Sequence, residues 1–353
     1  MVGDLGLISI GLPVYNGERY LSSAIESLLN QDYENLELVI SDNASTDGTE
    51  DICRRFVRND RRVTFHKNST NLGAAANFNL VFEASRGKYF MWAAHDDLWQ
   101  PTYVRKCAEM LEVHNDVVLC SADINFMDKN GESLKYDTYN RLHTQGMNLR
   151  ERVRSLTERV GWFALYGVVR PEVLRRTRLY TNAYGGDVIL FMELLFQGCT
   201  AVVPEKLFSC RQVFKTSARY MEDISGTVHG RLSFKPYTEM AINLIRVIER
   251  SAVREYEKAL MREDLLQNVC VENEYWSRMI ADEHASVAQV PTYRQSVELR
   301  ALLMPGMTPT ELRLCRLAAL RRYVVDRWVS PVAPKPLLKM LVRGMALMRR
   351  LSS

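Results

Sequence analysis

The chain lacks the cysteine patterns that would set a disulfide scaffold or a metal finger. Its seven cysteines, in 353 residues, form no CxxC pair. Cys53, Cys107, Cys120, Cys199, Cys210, Cys270 and Cys315 are scattered, which suits free thiols in a reducing compartment. No basic segment followed by a long apolar run opens the chain, so no secretory leader is expected. No stretch approaches the roughly 20 apolar residues that a membrane-crossing helix needs. Internal repeats and low-complexity segments are also missing. The expectation from these absences is a cytoplasmic globular protein.

What is present is ordinary in bulk and uneven in charge. Apolar residues make up 47% and charged residues 25%, so composition alone points to no activity. The length allows one large domain with an appendage, or two domains. The net charge of +4 divides unequally. From residue 310 onward ten Lys and Arg face two acidic residues, which leaves the remainder net acidic. A basic tail can meet nucleic acid or an anionic membrane surface.

The first third alternates strand and helix signals. Leu7 to Leu12 is a short apolar run ending at Pro13 and predicts a buried strand. Tyr20 to Asn30 has helical spacing, with Leu21, Ala24, Ile25, Leu28 and Leu29 apolar. Strands are expected at 36–40, 63–65 and 89–92, with helices at about 49–57 and 71–84. Further on, the pattern predicts a helix at 103–113, a strand at 117–121, a helix at 188–198 and a strand at 201–203 before Pro204. From about 236 it is helical throughout. Alternation of this kind means an α/β fold with a largely parallel sheet. Such sheets bind ligands beyond the carboxyl ends of their strands.

Three polar segments sit at such ends, and a fourth precedes an apolar helix. Leu12 to Glu18, with Pro13, Asn16 and Gly17, must turn, and Tyr15 offers a face on which a nucleobase could stack. Asp42, after the second strand, can accept the imino hydrogen of uracil or thymine, or a ribose hydroxyl. In the same segment Ser45 or Thr46 can cap the next helix. Asp96 and Asp97 follow an apolar strand. Two adjacent carboxylates there need solvent, a helix end or a divalent cation, Mg²⁺ or Mn²⁺, that also takes phosphate oxygens. Asp187, after Tyr184-Gly185-Gly186, is either a helix cap or a general base.

In order and spacing these segments resemble the family 2 glycosyltransferases of bacterial cell-surface polysaccharide assembly, across about residues 1–215. Pro13-Val14-Tyr15-Asn16 with Glu18 and Tyr20-Leu21 is similar to that family's opening signature. Asp42 to Thr49 is similar to its second, with Asn43 and Ala44 where Asp and Gly are commoner. Asn71-Leu72-Gly73 with Asn77 and Asn79 resembles its third. His95-Asp96-Asp97 with Trp99 and Pro101 resembles its metal-binding segment. Tyr166 to Arg170 and Gly186-Asp187 resemble its acceptor half. The resemblance implies a GT-A fold, a mostly parallel Rossmann-like sheet flanked by helices, over residues 1–215. A helical C-terminal region would follow over 216–353. It implies that Pro13, Tyr15, Asn16, Glu18, Asp42, Asn71 and Asp96 hold a UDP- or dTDP-sugar. It also implies that Asp97 binds the metal and that Asp187 is the base of an inverting transfer to an acceptor hydroxyl. Three departures stand out. Ala94 replaces a frequent Asp, Gly186 a frequent Glu, and Val213 a frequent His, with no His between 144 and 228. No QxxRW signature of processive synthases occurs.

A sugar nucleotidyltransferase would want a Gly-rich loop with a basic residue after the first strand, and Leu12 to Glu18 has one Gly and no Lys or Arg. A non-catalytic nucleotide-sugar-binding scaffold in a glycan-assembly complex is the alternative from another class, although Asp97 and Asp187 are both kept. The tail carries two basic amphipathic stretches, Leu314 to Val329 and Lys335 to Leu351. An apolar stripe beside a basic one suits a helix lying on an anionic membrane surface, and also a helix packed on the enzyme. Membrane placement would suit a lipid-linked or surface glycan acceptor. No aromatic or basic recognition module accompanies the tail, so nucleic acid is not an expected partner.

Overall fold

The computed structural model describes residues 5–135, 142–158, 162–212, 235–269 and 273–283. They fall in two compact units, Met1–Asn268 and Val269–Ser353. The described part of the second unit is centred on one helix, Glu274–Glu283, in which Trp276 and Ile280 are buried.

In the first unit the strands are β1 Ile8–Val14, β2 Leu36–Asp42, β3 Val63–Lys67, β4 Tyr89–Trp92, β5 Leu98–Trp99, β6 Val117–Met127, β7 Val168–Val169 and β8 Cys199–Arg211. They form one sheet in the order β3-β2-β1-β4-β7-β6-β8-β5. The pairs β3–β2, β2–β1, β1–β4 and β6–β8 are parallel, and the pairs made by β7 and β5 are antiparallel. The sheet is therefore mixed and mostly parallel, as a GT-A fold requires. Helices α1 Leu21–Leu29, α2 Thr49–Asn59, α3 Ala74–Glu83 and α4 Tyr103–Val113 alternate with the strands. Helix α1 buries Leu21, Ala24, Ile25 and Leu28, the stripe its spacing predicts.

β1 and β2 are buried along their whole length, which explains their nearly unbroken apolar sequences. Besides Ser41 and Asp42 at its end, β2 carries the charged Glu37. Its carboxylate accepts the Ser9 hydroxyl at 2.5 Å, the Arg86 amide at 3.0 Å and Arg86 Nε at 2.8 Å. Pro13 is tolerated within β1 because the β4 pairing stops at Gly11↔Trp92.

Two strands run further than the local pattern suggests. β6 continues to Met127, and β8 passes through Pro204 to Arg211. Pro204 breaks the apolar run but not the strand. The register jumps from Ala122↔Val203 to Asp123↔Lys206, so Pro204 and Glu205 bulge out, exposed, where no ladder N–H is needed. The two-residue strand β7 is inserted between β4 and β6. Gly167 just before it admits no side chain, since a Cβ would lie 2.5 Å from the Cys120 carbonyl oxygen.

The remaining helices among the described residues of this unit are α5 Leu149–Glu158, α6 Pro171–Leu174, α7 Gly186–Leu195, α8 Pro236–Arg250 and α9 Glu255–Gln267. A 3₁₀ turn covers Trp162–Tyr166. Although the last strand among the described residues ends at Arg211, α8 and α9 pack into the same unit. Asn268, just after α9, donates to Thr157 of α5 at 2.7 Å, and Arg150 of α5 pairs with Asp264 of α9. The stretches 314–329 and 335–351 lie outside the described residues. Among the described residues no helix is long and apolar enough to cross a membrane.

Candidate functional site

The parallel register places Val14 beside Asp42, so the loops after β1 and β2 leave the sheet together. They are tied to each other by their own polar side chains. Asn16 N–H donates to Ser45 Oγ at 2.8 Å, and Asn16 Oδ1 accepts the Thr46 amide at 2.9 Å. Gly17 N–H donates to Thr49 Oγ1 at 2.9 Å. Glu18 donates its amide to Asp47 and accepts the Gly48 amide, each at 3.1 Å. Asp47 accepts the Thr49 amide and hydroxyl. Burial pushes the Asp47 carboxyl up, but the bonds from Thr49 and Glu18 outweigh it and hold it below its ordinary range. The open N–H groups of α2 are thus met by Glu18 and Asp47 rather than by a Ser45 or Thr46 cap. Two non-glycine residues in these loops have positive φ, Asn16 at 50° and Ala44 at 61°. Ala44 therefore holds a conformation that glycine adopts without strain.

Asp42 lies at the mouth of these loops with no exposed surface. Its Oδ1 accepts the Ser45 amide at 2.9 Å, while Oδ2 is buried with no hydrogen-bond partner among the described residues. The nearest cation is Lys67 Nζ, 4.0 Å away and already bonded to Glu50 at 2.5 Å. A buried carboxylate oxygen left unpaired is costly unless a donor arrives. Cys53 beneath it is an inert thiol, pushed up to about 12 by burial and then by the Asp42 charge. Asn71 stands beside this point. Its Oδ1 accepts Asn43 Nδ2 at 2.8 Å and the Gly73 amide at 2.9 Å. Asn43, Asn68 and Asn77 continue the amide network beneath. Tyr15 and Leu72, 39% and 40% exposed, are large apolar side chains left open on the bordering loops.

The third group follows β4. Asp97 is buried and Asp96 half-buried. Asp97 Oδ1 accepts the Arg211 amide at 2.7 Å. Burial, then the neighbouring Asp96 charge, push the Asp97 carboxyl well above its usual range, against bonds from the Arg211 amide and the Cys210 thiol. Asp97 thus faces the sheet, where it fastens β8, and Asp96 is the more open carboxylate of the pair. Arg211 completes the fastening. Its Nε donates to the Asp96 carbonyl at 2.9 Å, its Nη1 to the Asp128 carbonyl at 3.1 Å, and its guanidinium lies 4.3 Å from the Tyr20 ring centre. Local sequence gives almost no signal for this role, because all of Arg211's partners are distant in the chain.

Asp187 lies in the first turn of α7, half-buried. It is not the cap residue, which is Gly185. Burial pushes its carboxyl up, opposed by the backbone amides at 187 and 188, and Val188 N–H donates to Oδ1 at 2.9 Å. The segment leading to it is anchored near the other groups. Tyr180 exchanges two backbone–side-chain bonds with Asn79 of α3, each 3.0 Å, and packs edge-on against Trp92 of β4 at 5.1 Å.

Pro13, Tyr15, Asn16, Glu18, Asp42, Asn71 and Asp96 therefore border the carboxyl ends of β1, β2 and β4. Asn16 and Glu18 spend polar atoms on the loop structure, whereas Asp42 keeps one unspent. Among the described residues no three His, Cys, Asp or Glu side chains converge as a metal cage would need. One open carboxylate, Asp96, still fits a Mg²⁺-like ion that draws its other oxygens from phosphate and water.

The family model described as "Glycosyl transferase family 2" matches residues 9–168. An uncharacterized glycosyltransferase of Rickettsia bellii is 35% identical over 203 residues, which is 57% of this chain and 24% of that protein. The chain spans 56% of a second uncharacterized glycosyltransferase, from Rickettsia typhi, at 27% identity over 62% of its own length. Among solved structures, S. aureus TarS 1–349 in complex with UDP-GlcNAc aligns with a TM-score of 0.60 at 15% identity, over 91% of this chain and 93% of that one. That likeness speaks for the fold.

Proposed function

We propose, from the match of residues 9–168 to the model of glycosyl transferase family 2, that the chain moves a sugar from a UDP- or dTDP-sugar onto an acceptor hydroxyl with inversion. The observation that carries the reading is Asp42 Oδ2, a buried acceptor at the end of β2 with no donor among the described residues, while the exposed Tyr15 directly follows Val14, the β1 partner of Asp42. A pyrimidine imino N–H supplies the missing donor, and the ring supplies a stacking face. TarS, which shares the fold, has been crystallised with UDP-GlcNAc and with UDP, and a Pyrobaculum calidifontis mannosyltransferase with GDP-Man and Mn²⁺. These are consistent with a nucleotide-sugar site at this edge.

In this reading Asp187 takes the proton from the acceptor hydroxyl. The freed oxygen attacks the anomeric carbon on the face opposite the nucleoside diphosphate, and that bond breaks as the new one forms. A carboxyl raised by burial is a stronger base than a solvated one and suits the task. Asp96, the open member of its pair, is the residue we place against Mn²⁺ or Mg²⁺. This revises the expectation from the resemblance, which put the metal on Asp97. Such an ion would offset charge on the departing diphosphate. Asp97 and Arg211 hold the Asp96 turn.

The acceptor we propose is a lipid-linked or surface glycan, reached from an anionic membrane face by the basic stretches after residue 310. That part of the reading rests on sequence alone. The direct test is turnover of UDP- and dTDP-sugars by the purified chain with Mn²⁺, followed through nucleoside diphosphate release. Asp96→Ala and EDTA should each abolish it. Full activity in EDTA removes the cation from the scheme. Pyrimidine nucleotides that bind with no turnover under any condition would instead favour the non-catalytic scaffold.

A further inference from the structure

Asp187 is steered by very little of its own. Among the described residues its carboxylate receives only the backbone amides of residues 187 and 188. Its direction is therefore that of the backbone turn 184–187, and whatever fixes the turn fixes the carboxylate.

The turn is pinched from two sides. On one, Gly186 lies so close to the preceding loop that a Cβ would be 2.7 Å from the Thr181 carbonyl oxygen. On the other, Gly185 takes φ +67°, and a Cβ there would overlap Met240 Sδ and lie 2.8 Å from Met240 Cγ. Met240, fully buried, belongs to α8, far downstream of the segment matched by the family model. One helical turn earlier Tyr237 packs on Tyr184, with ring centres 5.0 Å apart. The face of α8 turned inward includes Met240, Ala241 and Leu244, all with no exposed surface. A long, flexible thioether fills such an irregular gap where a truncated side chain would leave it open.

We propose that Met240 is a positioning residue for catalysis: seated against Gly185, it holds the Asp187 turn in place and keeps water from it. The inference rests on Asp187 being the base. It makes α8 part of the catalytic unit rather than of an appendage. The titratable groups on the elements packed here are Tyr184 in the turn, Glu193 on α7, Tyr237, Glu239, Arg246, Glu249 and Arg250 on α8, Arg150, Glu151, Arg152, Arg154 and Glu158 on α5, and Tyr166 on the 3₁₀ turn. None of them is among the causes of the raised Asp187 carboxyl, which are burial and then the two amides. Water admitted at Gly185 would therefore act on Asp187 directly.

The test uses the full chain and whichever of UDP-glucose, UDP-GlcNAc and dTDP-glucose it hydrolyses fastest with Mn²⁺. Met240→Ala should lower kcat about 10-fold or more, since displacements near 1 Å can cost 10²-fold. Donor KM and the Kd for UDP should stay unchanged. The acidic limb of kcat should move to lower pH as the carboxylate becomes wetter. Met240→Leu, close in volume, should recover most of the loss. A second arm keeps the idea testable if Met240→Ala folds poorly. Gly185→Ala should be impaired both by its left-handed φ of +67°, which no neighbour relieves, and by its close approach to Met240, and the double variant Gly185→Ala/Met240→Ala should recover the second part of that loss. Unchanged kcat and pH limb in Met240→Ala overturns the inference, as does a double variant no better than Gly185→Ala. Asp187→Asn, run beside them, separates the two claims. Near wild-type turnover in that variant sinks the base assignment itself, whatever the Met240 variants do.

Discussion

Replacing Asp42 by Asn separates what this residue does for folding from what it does for binding. In the free protein the Asp42→Asn side chain keeps an oxygen that can accept the Ser45 amide, now held at 2.9 Å. The change turns the partnerless, buried Oδ2 into an NH₂ and removes a charge whose nearest cation, Lys67, is 4.0 Å away and paired with Glu50. On the folding side, weakening a charge-assisted bond costs on the order of 1 kcal/mol, and relief of an unpaired buried carboxylate oxygen returns about as much. Stability in urea should therefore shift by no more than about 1 kcal/mol. On the binding side the substitution removes the acceptor for a pyrimidine imino hydrogen and sets a donor against a donor. A hydrogen bond to a charged group is worth about 1.5–3 kcal/mol, which is roughly 10- to 100-fold in Kd. Calorimetric titration with UDP and dTDP reads the second effect and equilibrium unfolding the first. A Kd for both nucleotides within about twofold of wild type, in a folded Asp42→Asn variant, would show that Asp42 does not read the base.

Other consequences can be measured separately. Ala44→Gly relieves a left-handed alanine at φ 61° and should raise stability by about 0.5–1 kcal/mol after allowing for glycine's greater unfolded-state freedom; a loss in urea unfolding would refute the strain. For Glu37, the bonds from Ser9 and Arg86 outweigh burial and hold the carboxyl below its ordinary value, so its contribution is present above about pH 4.5 and fades as pH falls through the lowered folded value. Glu37→Gln should cost about 1–3 kcal/mol at pH 7 and less at pH 3, and an equal cost at both would refute the linkage. For Asp187, whose carboxyl is raised, kcat should fall on acidification through a limb above the ordinary Asp value of about 3.9, and Asp187→Asn should lower turnover by about 10²-fold or more with UDP binding kept. Truncation after about residue 310 should reduce sedimentation with anionic liposomes, at about 1 kcal/mol per basic residue lost from the surface. Equal, negligible binding by the intact chain to anionic and neutral vesicles would end the membrane reading.

The α/β class, the first four strands and their helices, and the polar segments at strand ends were legible in the sequence because each is a local pattern. An apolar run ended by Pro13, the spacing of Leu21, Ala24, Ile25 and Leu28, and Asp42 behind a buried strand all signal within a dozen residues. Strand β7 and the far half of β8 were not legible. Two valines gain strand structure only from neighbours on both sides, and Pro204 continues a strand only where the register of β6 lets it bulge. The same limit governs the site. That Asp96 and Asp97 follow β4 is written in the chain, but which carboxylate turns inward was decided by the Arg211 amide, 114 positions away. That an aspartate follows two glycines is likewise local. The fit of Met240 against Gly185 arises only when a distant helix packs there, because no short-range spacing encodes a contact between residues 55 apart.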